Sequence, residues 1–319
     1  MTSSSPAVGT QAGSLPRRRR GRRRISYFTT RDKAVLTAMI GIPLVFDLVL
    51  IWFPVVLTTI FSFTSWDGLG SMFKLPFNGT ENYHAIATTN PDFWPAVQHN
   101  LIWIGVFLVV ATPFGIFLAV LLDRNIRGTR VYQSIFFMPV VLSLALIGFM
   151  WQLIYAPDNG LLNSVLGRTD PNSTINWLGN PSINLWAVLV AASWRQAGYV
   201  MVLYLAGLKG VDPGLREAAA LDGAGAWATF RHVVFPTMKP INIVILVVTL
   251  IESLRAFDIA YIVNGGRNGL QLLSTLITNN IGSEASRIGY GSALAMILLV
   301  VTLVPICTYL YQTFSKDVR

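Results

Sequence analysis

Five ionisable residues fall inside long apolar stretches of this chain: Asp47, Arg195, Glu252, Arg255 and Asp258. A charged side chain at the centre of a bilayer costs a few kcal/mol or more unless it faces water or a partner. Arg195, Gln196 and Tyr199 are spaced to share one helical face, and Glu252, Ser253 and Arg255 run directly into Phe257 and Asp258. These two short segments combine guanidinium, carboxylate, carboxamide, hydroxyl and aromatic groups, the donors, acceptors and flat apolar surfaces that a hydroxyl-rich solute needs. Arg195, Gln196, Tyr199, Glu252, Ser253 and Asp258 are therefore expected to border a solute path. The same residues admit a structural reading, in which Glu252 or Asp258 pairs with Arg195 or Arg255. Asp47, alone in its stretch, is expected to be satisfied by a neighbouring span or another subunit.

Catalytic chemistry has little support. No Gly-x-x-x-x-Gly-Lys-Ser/Thr loop occurs, so the chain lacks the run of backbone N–H groups that cradles ATP phosphates. His84, His99 and His232 have no metal-ligand spacing, and the single cysteine, Cys307, rules out an intrachain disulfide and is expected to pack. The chain reads as a transport subunit, not an enzyme. It is expected to hold no cofactor of its own, and a membrane enzyme or scaffold is the least supported class.

The segment 209–240 is polar enough to be a loop but carries its own folding signals. Asp212 suits an N-cap and Pro213 the first helical position, so a short helix is expected from there, with Leu215, Ala218 and Ala219 on one face and its end at Gly223. A second short helix carries Trp227, Phe230 and Val234 until Pro236 stops it. Small alanines beside Glu217, followed by an apolar stripe, make a surface that another protein can approach closely. An ordinary amphipathic helix at the membrane interface displays the same pattern.

Glu217-Ala218-Ala219, Asp222-Gly223-Ala224, Phe230 and Pro236 resemble the EAA loop of ABC-importer permeases in composition and spacing. The sequence departs from that pattern at Val233 and Phe235, both still apolar. Two further stretches, Trp151 to Asn163 and Phe257 to Gly266, resemble carbohydrate-uptake permeases of the maltose, lactose and glycerol-3-phosphate type, although Arg267 stands where proline usually follows the paired glycines. The resemblance covers roughly residues 34–314 and implies an all-α type I ABC-importer permease. It implies that the loop, through Glu217, Ala218, Ala219, Asp222, Gly223, Trp227 and Phe230, couples to a separate cytoplasmic ATPase dimer that binds ATP and Mg. It also implies a second homologous permease and an extracytoplasmic solute-binding protein or lipoprotein. A stand-alone proton- or cation-coupled secondary transporter, using Asp258 or Glu252, is the alternative.

Elements that could position these residues follow from hydropathy. With 53% hydrophobic and 12% charged residues and a mean hydropathy of +0.55, the chain is too apolar for an ordinary soluble domain. Six stretches are long enough to cross a bilayer, near 34–62, 99–122, 131–154, 184–208, 241–261 and 290–313. Pro43 and Pro54 are candidate kinks in the first, and small residues over 289–295 suit close packing in the last. Basic residues test that topology independently. Nine lie in the amino-terminal segment, three in 123–130, four in 209–240 and two in the carboxy-terminal tail, against Lys74, Arg168, Arg267 and Arg287 in the opposite loops.

This bias predicts six spans with both termini cytoplasmic, in a bacterial cytoplasmic (inner) membrane. Residues 1–33 are expected to be a disordered basic tail preceding a permease domain over 34–319. The net charge of +9 is read as orientation at the lipid surface, with no nucleic-acid partner. Trp66, Tyr83, Trp94, Tyr155 and Trp177 in the outer loops are expected to include interfacial anchors. The triplets at Asn78 and Asn172 match the glycosylation sequon, a pattern common by chance.

Overall fold

The computed structural model describes residues 29–71, 75–124, 127–282 and 287–317, so the arginine run of the expected tail and Lys74 lie outside the described residues. The described residues fall into two units divided after Pro54. The first holds α1 (Thr30–Asp47), opened by a capping box between Thr29 and Asp32, and a π turn at Leu48–Trp52. Asp47 stands where α1 gives way to that turn.

The elements of the second unit are helices, with one isolated antiparallel bridge between Thr64 and Phe77. They begin with α2 (Phe53–Ser62), whose first two residues belong to the first unit, and run through α3 (Glu81–Thr88), α4 (Phe93–Val106), α5 (Thr112–Asp123), α6 (Thr129–Val141), α7 (Leu144–Ile154), α8 (Leu161–Val165) and α9 (Asn184–Lys209). They continue as α10 (Pro213–Leu221), α11 (Ala226–Thr229), α12 (Phe235–Thr237), α13 (Lys239–Leu254), α14 (Asp258–Asn264), α15 (Leu273–Ile281) and α16 (Ile288–Asp317).

Among the described residues four helical runs are long and apolar enough to span a membrane: Thr30–Ser62, Phe93–Asp123, Asn184–Lys209 and Ile288–Tyr309. The other two expected spans are not continuous helices. The stretch 131–154 is α6 and α7, bent by 102°. Leu142 and Ser143 are extended there, and the Ser143 hydroxyl accepts from the Leu146 N–H at 3.2 Å, which caps a new helix instead of continuing the old one. The stretch 241–261 breaks at Arg255 to Phe257, between α13 and α14.

Three helices pass through prolines by one device. Pro54, Pro113 and Pro236 each follow a π turn, at Leu48–Trp52, Phe107–Ala111 and Phe230–Val234. In each case the residue just before the proline donates its N–H five residues back: Phe53 to Leu48, Thr112 to Phe107 and Phe235 to Phe230. A helical proline loses one hydrogen bond, and its ring collides with the carbonyl four residues earlier. Widening the turn moves that carbonyl away. Pro236 therefore does not end its helix as its sequence suggests; the helical run continues to Thr237.

The helix α9 is the hub of the second unit, packing against α4, α5, α6, α7, α13 and α14. Around one half of it Trp103, Phe107, Ile147, Leu189 and Ile259 form an apolar cluster. Around the other half Leu118, Val200, Met201, Tyr204, Leu208 and Val234 form a second. Close approach depends on two glycines. A Cβ at Gly115 of α5 would lie 2.6 Å from the Ala197 carbonyl oxygen, and one at Gly198 of α9 would overlap the carbonyl oxygen of Phe136 on α6. Gly198→Ala is expected to destabilise the detergent-solubilised protein by about 1–3 kcal/mol, because backbone cannot yield as a side-chain tip does. Gly105→Ala, whose new methyl meets none of the described residues within 4 Å beyond its chain neighbours and its own helix backbone, is expected to be neutral or to gain up to about 1 kcal/mol of helix propensity. Thermal unfolding of the two variants side by side checks this.

The outer-loop aromatics divide. Trp94 is exposed, but Trp66 and Tyr155 are buried, correcting the expectation that they anchor at the interface. Their polar ends find carbonyls inside the protein: Trp66 Nε1 donates to Leu69 at 2.9 Å and the Tyr155 hydroxyl to Ala187 at 3.0 Å. Cys307, expected to pack, is exposed.

Candidate functional site: an intramembrane cavity and an exposed loop

Two of the sequence's candidate groups meet at the middle of α9. A cavity of about 170 Å³ is lined there by Arg195, Gln196, Glu252, Arg255 and Asp258, with aromatic faces from Trp103, Phe107 and Phe257. Each wall has a local origin. Arg195 and Gln196 sit mid-way along α9, Glu252 on the last turn of α13, Arg255 and Phe257 in the break, and Asp258 at the start of α14. The break in the fifth expected span thus turns polar side chains and irregular backbone onto a cavity, where such backbone is tolerated at membrane depth.

The pairing inside the cavity is specific. Arg195 Nη1 lies 3.7 Å from Glu252 Oε2, close enough for charge attraction but too long for a direct hydrogen bond. The two side chains keep 23% and 36% of their surface exposed, so the pair stays open to water or a ligand. The Arg195 Nε is buried with no partner. Gln196 is buried and donates to Thr249 Oγ1 at 3.2 Å, and Thr249 lies 3.4 Å from Thr112 Oγ1, so a polar seam crosses from α9 through α13 to α5 beside the cavity.

Of the six expected path residues, Arg195, Gln196, Glu252 and Asp258 line this cavity. Ser253 does not: it is fully buried, and its hydroxyl donates to the Thr249 carbonyl at 2.7 Å. Tyr199, one turn further along α9 and part-buried, is also outside the lining. Trp103, Phe107 and Leu144 were not found from sequence, because they come from helices remote in the chain and look like ordinary apolar span residues.

A larger polar basin of about 530 Å³ lies among the expected outer loops, lined in part by Asn90, Asp92, Gln271, Asn279, Asn280 and Tyr290. Much of its polarity is internally engaged. Asn90 donates to the Tyr290 hydroxyl at 2.8 Å, Gln271 to Asp92 at 3.2 Å, Asn279 to the Gly265 carbonyl at 3.2 Å and Asn280 to that of Leu276 at 2.8 Å. These bonds clasp the loops. The two permease-like stretches do likewise: Gln152 donates to the carbonyls of Ile262 and Val263 at 2.8 and 3.0 Å, and Asn163 gathers Pro157, Ile175 and Trp177.

The third candidate group is the loop after α9. Asp212 Oδ1 accepts from the Gly214 N–H at 2.9 Å and starts α10 at Pro213 as its sequence indicates. The helix ends in paired bonds from Gly223 to Ala220 and from Ala224 to Ala219, at 3.1 and 2.9 Å. This closure requires the left-handed conformation that Gly223 adopts, with φ of +79°. The faces differ from the expected grouping. Ala219 turns inward, with Arg216 one turn before it, whereas Leu215, Glu217, Ala218 and Asp222 are exposed. Leu221 and Trp227 are 90% and 72% exposed, while Phe230 and Val234 pack onto the body. Large apolar side chains thus stand exposed beside the carboxylate of Glu217 on this loop.

Residues 111–319 match the family described as binding-protein-dependent transport system inner membrane component. The chain is 32% identical to the xylose/arabinose import permease protein XacH of Haloferax volcanii, over 92% of both chains. It is 31% identical to the trehalose/maltose transport system permease protein MalF of Thermococcus litoralis, over 76% of this chain and 82% of that one. Among solved structures, it resembles a chain of a bacterial ABC transporter involved in the import of the acidic polysaccharide alginate, with a TM-score of 0.76 and 21% identity over 89% of this chain and 96% of that one. At that identity the likeness carries the fold.

Proposed function

Because the chain belongs to the family of binding-protein-dependent transport system inner membrane components, we propose that it forms half of the transmembrane path of an ABC importer for sugars or related polyols. The reading is supported above all by the cavity on α9. It combines two guanidinium groups, two carboxylates and a buried carboxamide with three aromatic rings, which suits hydroxyls on the edges of a sugar ring and C–H groups on its faces. At about 170 Å³ it is smaller than the roughly 300–1,000 Å³ of a complete ligand pocket. That size fits a path completed by a second, homologous permease.

In this reading a solute-binding protein delivers solute from outside. ATP binding and hydrolysis on a separate cytoplasmic ATPase dimer moves the loop at 209–240, and the spans alternate access to the cavity. The exposed Glu217, Leu221 and Trp227 support that docking role. The relatives' stated solutes make xylose, arabinose, maltose and trehalose the first panel to try. Proteoliposomes holding this chain alone are expected to take up none of them. Those that also hold the second permease and the ATPase, with the binding protein added, are expected to show ATP-dependent uptake of at least one. Uptake by the chain alone, driven by a proton or cation gradient, would instead establish a secondary transporter.

The charge bias supports cytoplasmic termini. In a Cys307→Ser background, Ser71→Cys is expected to react with an impermeant maleimide from outside, and Ser315→Cys only after the membrane is opened. The reverse pattern would invert the topology.

A further inference from the structure

We propose that Arg216 is the positioning residue that carries movement of the docking loop into the transmembrane helices, by holding α10 to the inner ends of α5 and α9 together. This rests on the loop being the ATPase-docking element. Arg216 Nη1 donates to Asp123 Oδ2, on the last residue of α5, at 2.7 Å, and Nη2 donates to the Leu208 carbonyl of α9 at 3.2 Å. Its Nε is buried without a partner, so the guanidinium is held through its two terminal nitrogens alone. A recess of about 330 Å³ lies where the loop meets the body, with Arg216, Asp123, Leu208, Ala224, Phe230 and Val234 in its walls. The Arg216–Asp123 pair joins loop to body at that recess. The other half of the loop reaches the body through the apolar Phe230 and Val234, which can slide; a two-pronged charged contact resists sliding because its bonds are directional.

The two anchored helices lead to the cavity. Gln196 stands twelve residues up α9 from Leu208, and Thr112 eleven residues up α5 from Asp123, about 18 and 17 Å away at 1.5 Å per residue. Both meet Thr249 in the seam beside the cavity. A displacement of α10 thus pulls two helices that are tied, through Gln196 mid-way along α9 and Thr112 at the start of α5, to Thr249 on the helix that carries Glu252.

The test uses the assembled transporter in proteoliposomes, in a Cys307→Ser background with a reporter Leu144→Cys in the cavity lining. The readout is the change in maleimide labelling rate when AMP-PNP is added, which needs no known solute. With Arg216 intact the nucleotide is expected to change that rate at least fivefold. Arg216→Met and Asp123→Asn should each reduce the response to under twofold while ATPase retention and AMP-PNP binding stay at wild-type level. Combining them should add no further loss, and the exchange Arg216→Asp with Asp123→Arg should restore part of the response.

A full response in Asp123→Asn, or losses that multiply in the double variant, would overturn the proposal. Asp123→Asn is nearly isosteric and answers the question even if Arg216→Met fails to assemble. Gly223→Asp separates the two layers: if it leaves the ATPase bound, the docking reading itself fails. If it releases the ATPase while Arg216→Met still responds fully, only the role of Arg216 falls.

Discussion

Gly223→Asp is expected to release the ATPase subunit from the detergent-purified complex and to reduce uptake at least tenfold, with the transmembrane helices still folded. Three observations set the size of the effect. Gly223 has φ of +79°, and a side chain in the left-handed region costs about 1–2 kcal/mol, with aspartate at the lower end because it tolerates that region better than most residues. The two bonds that close α10 depend on that conformation. Among the described residues, its two chain neighbours apart, no atom lies within 4 Å of a Cβ added there, so the variant meets no packing clash that would unfold it. The larger part of the loss must come from the docked surface, where a bulky, unpaired carboxylate would be desolvated.

Gly223→Ala separates the terms: it carries the backbone strain without the charge and should lose less. Glu217→Ala, on an exposed helical position, removes one polar partner, worth about 0.5–1.5 kcal/mol, and is expected to weaken retention less than Gly223→Asp does. If Gly223→Asp leaves ATPase retention and uptake at wild-type level in an intact complex, this loop is not the coupling element.

The second large effect is expected in the cavity. Glu252→Gln and Asp258→Asn are each expected to reduce uptake about tenfold or more while the complex still assembles, since each removes a charged acceptor from the polar lining. The structural-pair reading predicts a different pattern. If the Arg195–Glu252 contact serves mainly to neutralise buried charge, either single change strands its partner and lowers the thermal midpoint. The double variant Arg195→Met with Glu252→Gln would then regain stability. The partial exposure of both side chains and their 3.7 Å separation favour a pair that a ligand can enter. Tyr199→Ala and Ser253→Ala serve as controls, because neither side chain lines the cavity, and each is expected to change uptake less than twofold. Normal uptake in both Glu252→Gln and Asp258→Asn would remove the cavity from the path.

What could be read from the chain alone was what depends on near neighbours or on bulk composition. Apolar runs announce membrane helices because the bilayer acts on every residue of a run independently of its partners. The start of α10 at Asp212 and its end at Gly223 were legible because a cap is made within three or four residues. The clustering of polar residues in 195–199 and 252–258 was equally visible, and four of the six named residues share one cavity.

Tertiary structure decided the rest. Whether an apolar run is one helix or two depends on what its ends pack against: Pro139 sits inside α6 without ending it, and the 102° bend comes after it, at Leu142 and Ser143. At Pro54, Pro113 and Pro236 the choice between breaking and widening the helix falls on widening, through the π turns that precede them. Glu252, and not Asp258, lies within reach of Arg195, although both acids are equally available in the sequence. Arg216 looked like one more basic residue of a cytoplasmic loop until its partner, 93 residues earlier in the chain, was brought to 2.7 Å. Contacts at such separation are set by how helices pack around α9, and no local propensity encodes them.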